Sequence, residues 1–425
     1  MPERVAGEGA FMKEQDRSSS PPLSGIRVVE LCTTIAGPAC ARLLADFGAD
    51  VIKIEPPSGD PVRQMGYHAE GVALYPATLF RGKRSIVLDL KRPECVRAAA
   101  ALIEHADIVV ENYRPGVLER LGLGYEAMSA RNPGLVMVRI SGYGQTGPYA
   151  QRPGYGAICE AFAGVRHMTG DPDRPPARVA LPATDYLSSV LGAYGAMVAI
   201  HERSRSGRGQ VVDLALYEAA FTQMEQVVPA HEQLGIVPTR QGPNLASMAP
   251  NSLYPTRDGQ YMLIAANNQA IWERLRSVMD VQGLAEDPRF ASIRERGRPE
   301  NVHALNEIVS GWTASLDADA LETLLQRAEV PSSRVNTIAD IYRDEHFEAR
   351  QMLLRVPHPK LGHTTQMGIV PKLTATPGVV RTTGPEVGEH TRQVLAGELG
   401  WSDAQIDSLL AALANDTARG PGDPG

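Results

Sequence analysis

Cysteine is scarce. The chain of 425 residues has four, Cys32, Cys40, Cys95 and Cys159, with no CxxC pair or regular spacing. Neither a zinc site nor a disulfide framework is signalled, and the four read as reduced core thiols. No apolar run approaches the roughly 18 residues of a membrane span, and no apolar block marks a signal peptide at the N-terminus. A membrane role is not expected, and the cytoplasm is the natural address. Positive charge is also short: 42 Lys and Arg stand against 49 Asp and Glu, a formal charge of -7. A nucleic-acid binder would show a basic excess. With 43% apolar residues the chain is long enough for two domains or for one large and one inserted domain.

Residues 1–22 mix charge, Gly, Ser and Pro without periodicity and read as a disordered tail. From Ile26 strands and helices alternate. IRVVEL, DVIKIE, SIVLDL, DIVVEN and LVMVRIS are strands, and Pro38–Phe47, Glu94–His105 and Val117–Met128 are helices. This alternation predicts an α/β fold with a Rossmann-like, doubly wound parallel sheet, which binds ligands at the carboxyl ends of its strands. Residues 23–224 form the first part of this large domain. Residues 225–330, with a hairpin at Asn251–Ala266 turning at Arg257-Asp258-Gly259, read as a smaller inserted α+β domain. Residues 331–425 return to the large domain.

The candidate functional residues sit at predicted strand ends. Ala36-Gly37-Pro38 follows the first strand and suits a helix start that can hold a phosphate. Lys53 and Arg63 flank the second strand's GDPVR, and Lys83 opens the third strand within RGKRS. Glu111-Asn112-Tyr113-Arg114-Pro115-Gly116 offers an amide, an aromatic face and a guanidinium on which an adenine could bond and stack. Gly142-Tyr-Gly-Gln-Thr-Gly147 fits the dinucleotide pattern GxGxxG, but Pro148 and the PYAQRPGYG that follows deny it the required helix, so no nicotinamide cofactor is expected. His358 and His363 have no neighbouring ligands at metal spacing and read as a surface loop.

Asp185 is the central acid. Leu181-Pro182-Ala183-Thr184-Asp185 opens a long helix ended by Gly207 and Gly209, with Leu187, Val190, Leu191, Tyr194, Met197 and Val198 spaced to face a core. An acid in a first turn is as often a cap as a catalyst.

The ordered set AGP, VIKIE, GDPxR, KRS, ENYRPG, SGYGQTGPY and LPATD resembles the class III coenzyme A transferases. That is the family of formyl-CoA transferase and carnitine CoA-transferase, and it also contains alpha-methylacyl-CoA racemase. The likeness covers Ile26–Leu410. It implies an aspartate nucleophile at Asp185; Tyr155, on the loop before the next helix, is a candidate for orienting the acyl oxygen and reads equally as an amphipathic core residue. Contacts to coenzyme A are implied from Ile35, Ala36, Lys83, Asn112, Tyr113 and Arg120, and further ones from Arg114, Lys53 and Arg63. It also implies an interlocked homodimer, with acyl-CoA and a carboxylic acid as substrates and no tightly bound cofactor. The same nucleophile could move coenzyme A within one substrate. The racemase alternative needs a histidine where this chain has Gly154-Tyr155-Gly156 and a glutamate near Asn268, so transfer is favoured over epimerisation. A catalytically silent acyl-CoA binder would have no reason to keep Asp185. Formyl-CoA transferase has a glycine run where this chain reads NLASMAP and a glutamine where it has Ile35. The likeness therefore points away from oxalate and toward another small or dicarboxylic acid.

Overall fold

Five β-branched, buried strand segments and a sixth at the edge build the centre of the molecule. The computed structural model describes residues 20–245 and 247–419, so the expected tail lies outside the described residues up to position 19. In chain order the main elements are β1 Arg27–Leu31, α1 Ala36–Ala45, β2 Asp50–Glu55, β3 Lys83–Val87, α2 Pro93–Glu104, β4 Ile108–Glu111, β5 Val136–Ser141, α3 Gly156–Phe162, α4 Ala183–Ser206 and β6 Val211–Ala215. The six strands pair side by side in the order β3-β2-β1-β4-β5-β6, every pair parallel. Chain order reverses between β1 and β4, the topological switch point at which such sheets open a crevice.

Both faces of this sheet are covered, as the near-continuous apolar strands require. Val29, Ile52, Ile86 and Val109 face one core with α2 and the C-terminal helices Thr391–Leu399 and Asp403–Arg419. Val28, Val51, Val110 and Val138 face the other, with α1 and α4. All four cysteines are buried and unpaired.

The helix expected over Val117–Met128 is two short helices, Val117–Arg120 and Tyr125–Ser129, because Gly122 takes a left-handed φ of 71° and Gly124 is extended between them. Helix α4 corrects a second expectation. Val190, Tyr194 and Val198 are exposed, while Ser188, Ser189, Gly192, Ala196 and Ala199 are buried. Close approach to α1 is the reason. Ser189 Oγ donates to Ala36 O at 2.7 Å, and a Cβ on Gly192 would lie 3.2 Å from Cys40 Sγ. Only small side chains fit that seam, so the large apolar ones turn outward.

By contact density the chain forms two compact units. The larger takes residues 20–160, 182–223 and 351–419 of the described chain, and the second takes Ala161–Leu181 and Met224–Arg350. The second unit has its own core around Trp272, Leu275, Leu305 and Leu321. Its sheet contains the antiparallel pair Asn251–Pro255 and Tyr261–Ala265, to which Ser332–Arg334 adds a third strand. In the larger unit Leu353–His358 and Gly362–Met367 form a hairpin. His358 is buried rather than on a surface loop, and its Nδ1 accepts the Lys360 and Leu361 N–H groups of the turn.

Under the sheet's carboxyl edge lies a buried charge network. Glu30 accepts Lys53 Nζ at 2.8 Å and Lys83 Nζ at 2.6 Å. Lys53 also donates to Cys32 O and pairs with Asp60 at 2.9 Å, and Lys83 donates to Pro38 O. Burial opposes charge on all three, but the two ammonium groups hold Glu30 below the ordinary carboxylate range, and Glu30 and Asp60 hold Lys53 above the ordinary ammonium range. Burial holds Lys83 below its usual value, and repulsion from Lys53 adds to this. Removing one member strands the others, so Glu30→Gln is expected to cost about 3–5 kcal/mol, read as a lowered midpoint in urea unfolding.

Candidate active site

The β1–α1 connection is the first wall of the site. Thr34 adopts a left-handed φ of 69°, costly for a β-branched residue, and two side chains hold it and Thr33 in place. Its N–H donates to Asp60 Oδ1 at 3.0 Å, while Asn112 accepts from Thr33 N–H at 3.0 Å and donates to Thr33 O at 2.8 Å. The charge network secures the same loop through the Cys32 and Pro38 carbonyls. Helix α1 starts without a side-chain cap, which leaves first-turn amides available beside Ala36.

The second wall follows β4 and carries Asn112, Tyr113, Arg114 and Pro115. The third is the loop after β5. Its two ends touch at glycines: a Cβ on Gly142 would lie 2.8 Å from Gly154 Cα. Between them Gly144 N–H donates to Ser141 Oγ, and Gln145 N–H donates to the Asp213 carboxylate. Those two amides are engaged, one by the end of β5 and the other by β6.

A cleft opens between these walls at the switch point, lined by Thr33–Ala36, Asn112–Pro115, Ile140–Gly142, Ala150, Arg152–Tyr155, Asp185 and Leu216. It lies wholly within the larger unit. Asp185 is the third residue of α4, which Pro182 precedes with no side-chain cap. Its carboxyl group accepts from its own first-turn N–H and also faces the cleft. The carboxylate lies against the first residue of α3, where a Cβ on Gly156 would be 2.0 Å from Asp185 Oδ2. Burial raises its pKa from 3.8 to about 6, against a lowering hydrogen bond from its own backbone N–H.

Seven of the expected site residues thus meet in one cleft: Ile35, Ala36, Asn112, Tyr113, Arg114, Tyr155 and Asp185. Four do not. The side chains of Lys53 and Lys83 are wholly buried and bound to Glu30, so neither ammonium group reaches a phosphate in the cleft. Arg63 is bound to Glu55 at 2.6 Å and to Pro385 O. Arg120 is exposed on a short helix outside the cleft. The Asn112 amide, committed in both directions to Thr33, shapes the wall rather than waiting for a base. Spacing drew attention to cations near strand ends, but only partner geometry separates a buried counter-charge from a ligand contact. Arg152 and Thr34 escaped sequence reasoning, since neither stands in a motif with a chemical reason of its own. Among the described residues no cluster of three or more His, Cys, Asp or Glu could hold a metal ion, and no helix is long and apolar enough to cross a membrane.

The family model described as CoA-transferase family III matches residues 23–391. The chain belongs to that family. This CoA-transferase is 44% identical to the succinyl-CoA–D-citramalate CoA-transferase of Chloroflexus aurantiacus, over 92% of its own length and 97% of the relative's. It is 34% identical to the succinate–glutarate CoA-transferase of Agrobacterium fabrum, covering 88% and 95% of the two chains. Among solved structures, a CAIB/BAIF family protein from Brucella suis superposes with a TM-score of 0.78 at 32% identity, covering 89% of this chain and all of that one. The mixed α/β fold with its parallel central sheet agrees with that likeness.

As the nucleophile proposed below, Asp185 would attack only when ionised, which sets the sign of two pH effects. The kcat/KM value is expected to fall tenfold per pH unit below about 6 and to level off above it. The folded pKa also lies above the unfolded value, so Asp185 costs stability as pH rises from about 4 through about 6. Asp185→Asn should accordingly raise the melting temperature at pH 8 and leave it nearly unchanged at pH 4.

Proposed function

We propose that the enzyme transfers coenzyme A from an acyl-CoA donor to a carboxylic acid through Asp185. The observation that carries this reading is a desolvated carboxylate at the switch-point cleft, seated against Gly156 with its pKa raised to about 6. Moving coenzyme A between acids without ATP requires the thioester's free energy to be kept in a covalent form, and a carboxylate nucleophile keeps it. Asp185 adds to the acyl carbonyl, the C–S bond breaks, and a mixed anhydride and CoA thiolate result. The thiolate then attacks the aspartyl carbonyl, releasing the donor acid and leaving an enzyme–CoA thioester. The acceptor carboxylate runs the two steps in reverse. The attacking groups are anions throughout, so water exclusion matters more than a general base.

First-turn amides of α1 beside Ala36 are suited to the oxyanions that develop in each addition, and Tyr155 to orienting the acyl oxygen. Tyr113 and Arg114 are suited to the nucleotide end. The names of the relatives favour four- and five-carbon dicarboxylic acids as the acyl groups exchanged, with succinyl-CoA the donor to try first. Transfer within one substrate would use the same residues and is separated from transfer between acids by following label from donor to free acceptor.

The enzyme is read as a homodimer that meets its partner through α4, whose outward Val190, Tyr194 and Val198 recur every fourth residue as one apolar stripe. Light scattering should give twice the 45.8 kDa chain mass, and Tyr194→Glu should shift it toward the monomer.

The mechanism is tested by incubation with succinyl-CoA, trapping with borohydride and mapping the modified peptide by mass. Modification confined to the peptide bearing Asp185 supports it. Transfer with no adduct at Asp185 and no loss in Asp185→Ala overturns it.

A further inference from the structure

The cleft holds two arginines, Arg114 and Arg152. Arg114 follows β4 beside Tyr113. Arg152 stands on the loop that ends at Gly156, four residues before the glycine that abuts the Asp185 carboxylate. Four residues of chain span at most about 14 Å, and Arg152 and Asp185 both line the cleft, so one ligand there can meet both.

Arg152 is also held ready. Its N–H donates to Tyr149 O at 2.8 Å, and its guanidinium stacks 3.4 Å from the centroid of the Tyr149 ring. Tyr149 meets Tyr143 edge-on at 6.3 Å, and Tyr143 lies 6.1 Å from Tyr217, so the platform is itself supported. Elsewhere in this unit Arg63, Arg81, Arg84 and Arg139 are each bound to a carboxylate. No carboxylate among the described residues pairs with Arg152, and its side chain opens on the cleft. A stacked guanidinium presents its in-plane N–H fork, which matches a carboxylate in bidentate fashion.

We propose that Arg152, on its Tyr149 platform, is the receptor for the distal carboxylate of a dicarboxylic acyl group and sets the preference for dicarboxylic over monocarboxylic acids. This rests on the transferase reading of Asp185 and adds the residue that selects its substrate class. The distal carboxylate of the substrate completes the ion pair that the protein leaves open, so a monocarboxylic acyl group of equal length forgoes it.

The test compares succinyl-CoA with butyryl-CoA, four carbons each, by the single-turnover rate of forming the Asp185–CoA thioester. In the unmodified enzyme succinyl-CoA is faster. In Arg152→Gln the succinyl-to-butyryl rate ratio should fall about a hundredfold, with Arg152→Lys between the two. Tyr149→Leu, which keeps the guanidinium but removes its platform, should lower the same ratio by about tenfold. A ratio unchanged in all three variants overturns the proposal. So does an equal fall with both thioesters, which marks a phosphate contact or a purely structural role. An unmodified enzyme that forms no adduct at Asp185 with either thioester sinks the transferase reading and this inference with it, whereas an adduct with an unmoved ratio sinks this inference alone.

Discussion

Asp185→Ala is expected to lower turnover by about 10⁴-fold or more, because no second carboxylate lines the cleft to take over the step proposed for it. The substitution removes the carboxylate and leaves the three walls of the cleft intact. Thr34 is held by Asp60 and its neighbour Thr33 by Asn112, and Tyr113 packs against the core below the sheet. Binding of free coenzyme A, measured by calorimetry, should therefore change by less than threefold. Asp185→Asn gives the stricter comparison, since it keeps the shape and removes only the charge. A variant of either kind that still exchanged coenzyme A at a tenth of the original rate would show that the reaction proceeds without this carboxylate.

Gly156→Ala is the second large effect, and it comes from sterics rather than chemistry. An added methyl group would lie 2.0 Å from Asp185 Oδ2, well inside any real contact, and 2.7 Å from Asp185 Cγ. The carboxylate must swing away or α3 must shift. Misplacing a reacting group by about 1 Å costs on the order of a hundredfold in rate, and overpacking costs about 1–3 kcal/mol of stability. The two consequences share one cause, so a double-mutant cycle can isolate it. In an Asp185→Ala background the added methyl group has room, and Gly156→Ala should then cost almost nothing in melting temperature. Equal destabilisation in both backgrounds would mean that Gly156 is needed for α3 itself and not for the carboxylate it faces.

Much of this site is legible in the sequence, and the part that is not has a physical explanation. The alternation of apolar strands and helices carries the parallel sheet because both faces of each strand are buried, and the candidate residues stand where strands end because ligands meet such sheets there. Tyr113 and the Ala36 turn follow from that rule, whereas Asp185 is read from its place at the mouth of a long helix and from the family likeness. Lys53 and Lys83 do not reach the cleft, since the rule says nothing about which way an ionised side chain points along a buried strand. Glu30, an acid in the middle of an apolar strand, is the signal that could have found their partner. The face of α4 is a similar case. Large apolar residues at helical spacing predict a buried stripe, but Ser188, Ser189, Gly192 and Ala196 show that backbone proximity to α1 governs which side turns inward. Arg152 was invisible for a different reason, since its environment is made by Tyr149 and by a loop closure that joins residues 12 positions apart.

That closure has a consequence for how preference among acids can change. With Gly142 and Gly154 pressed together, the 11 residues between them form a cassette fastened at its neck. On the reading proposed above, exchanging its contents would re-tailor what the enzyme accepts at the far end of the acyl chain, while Asp185 itself stands on α4, outside the cassette.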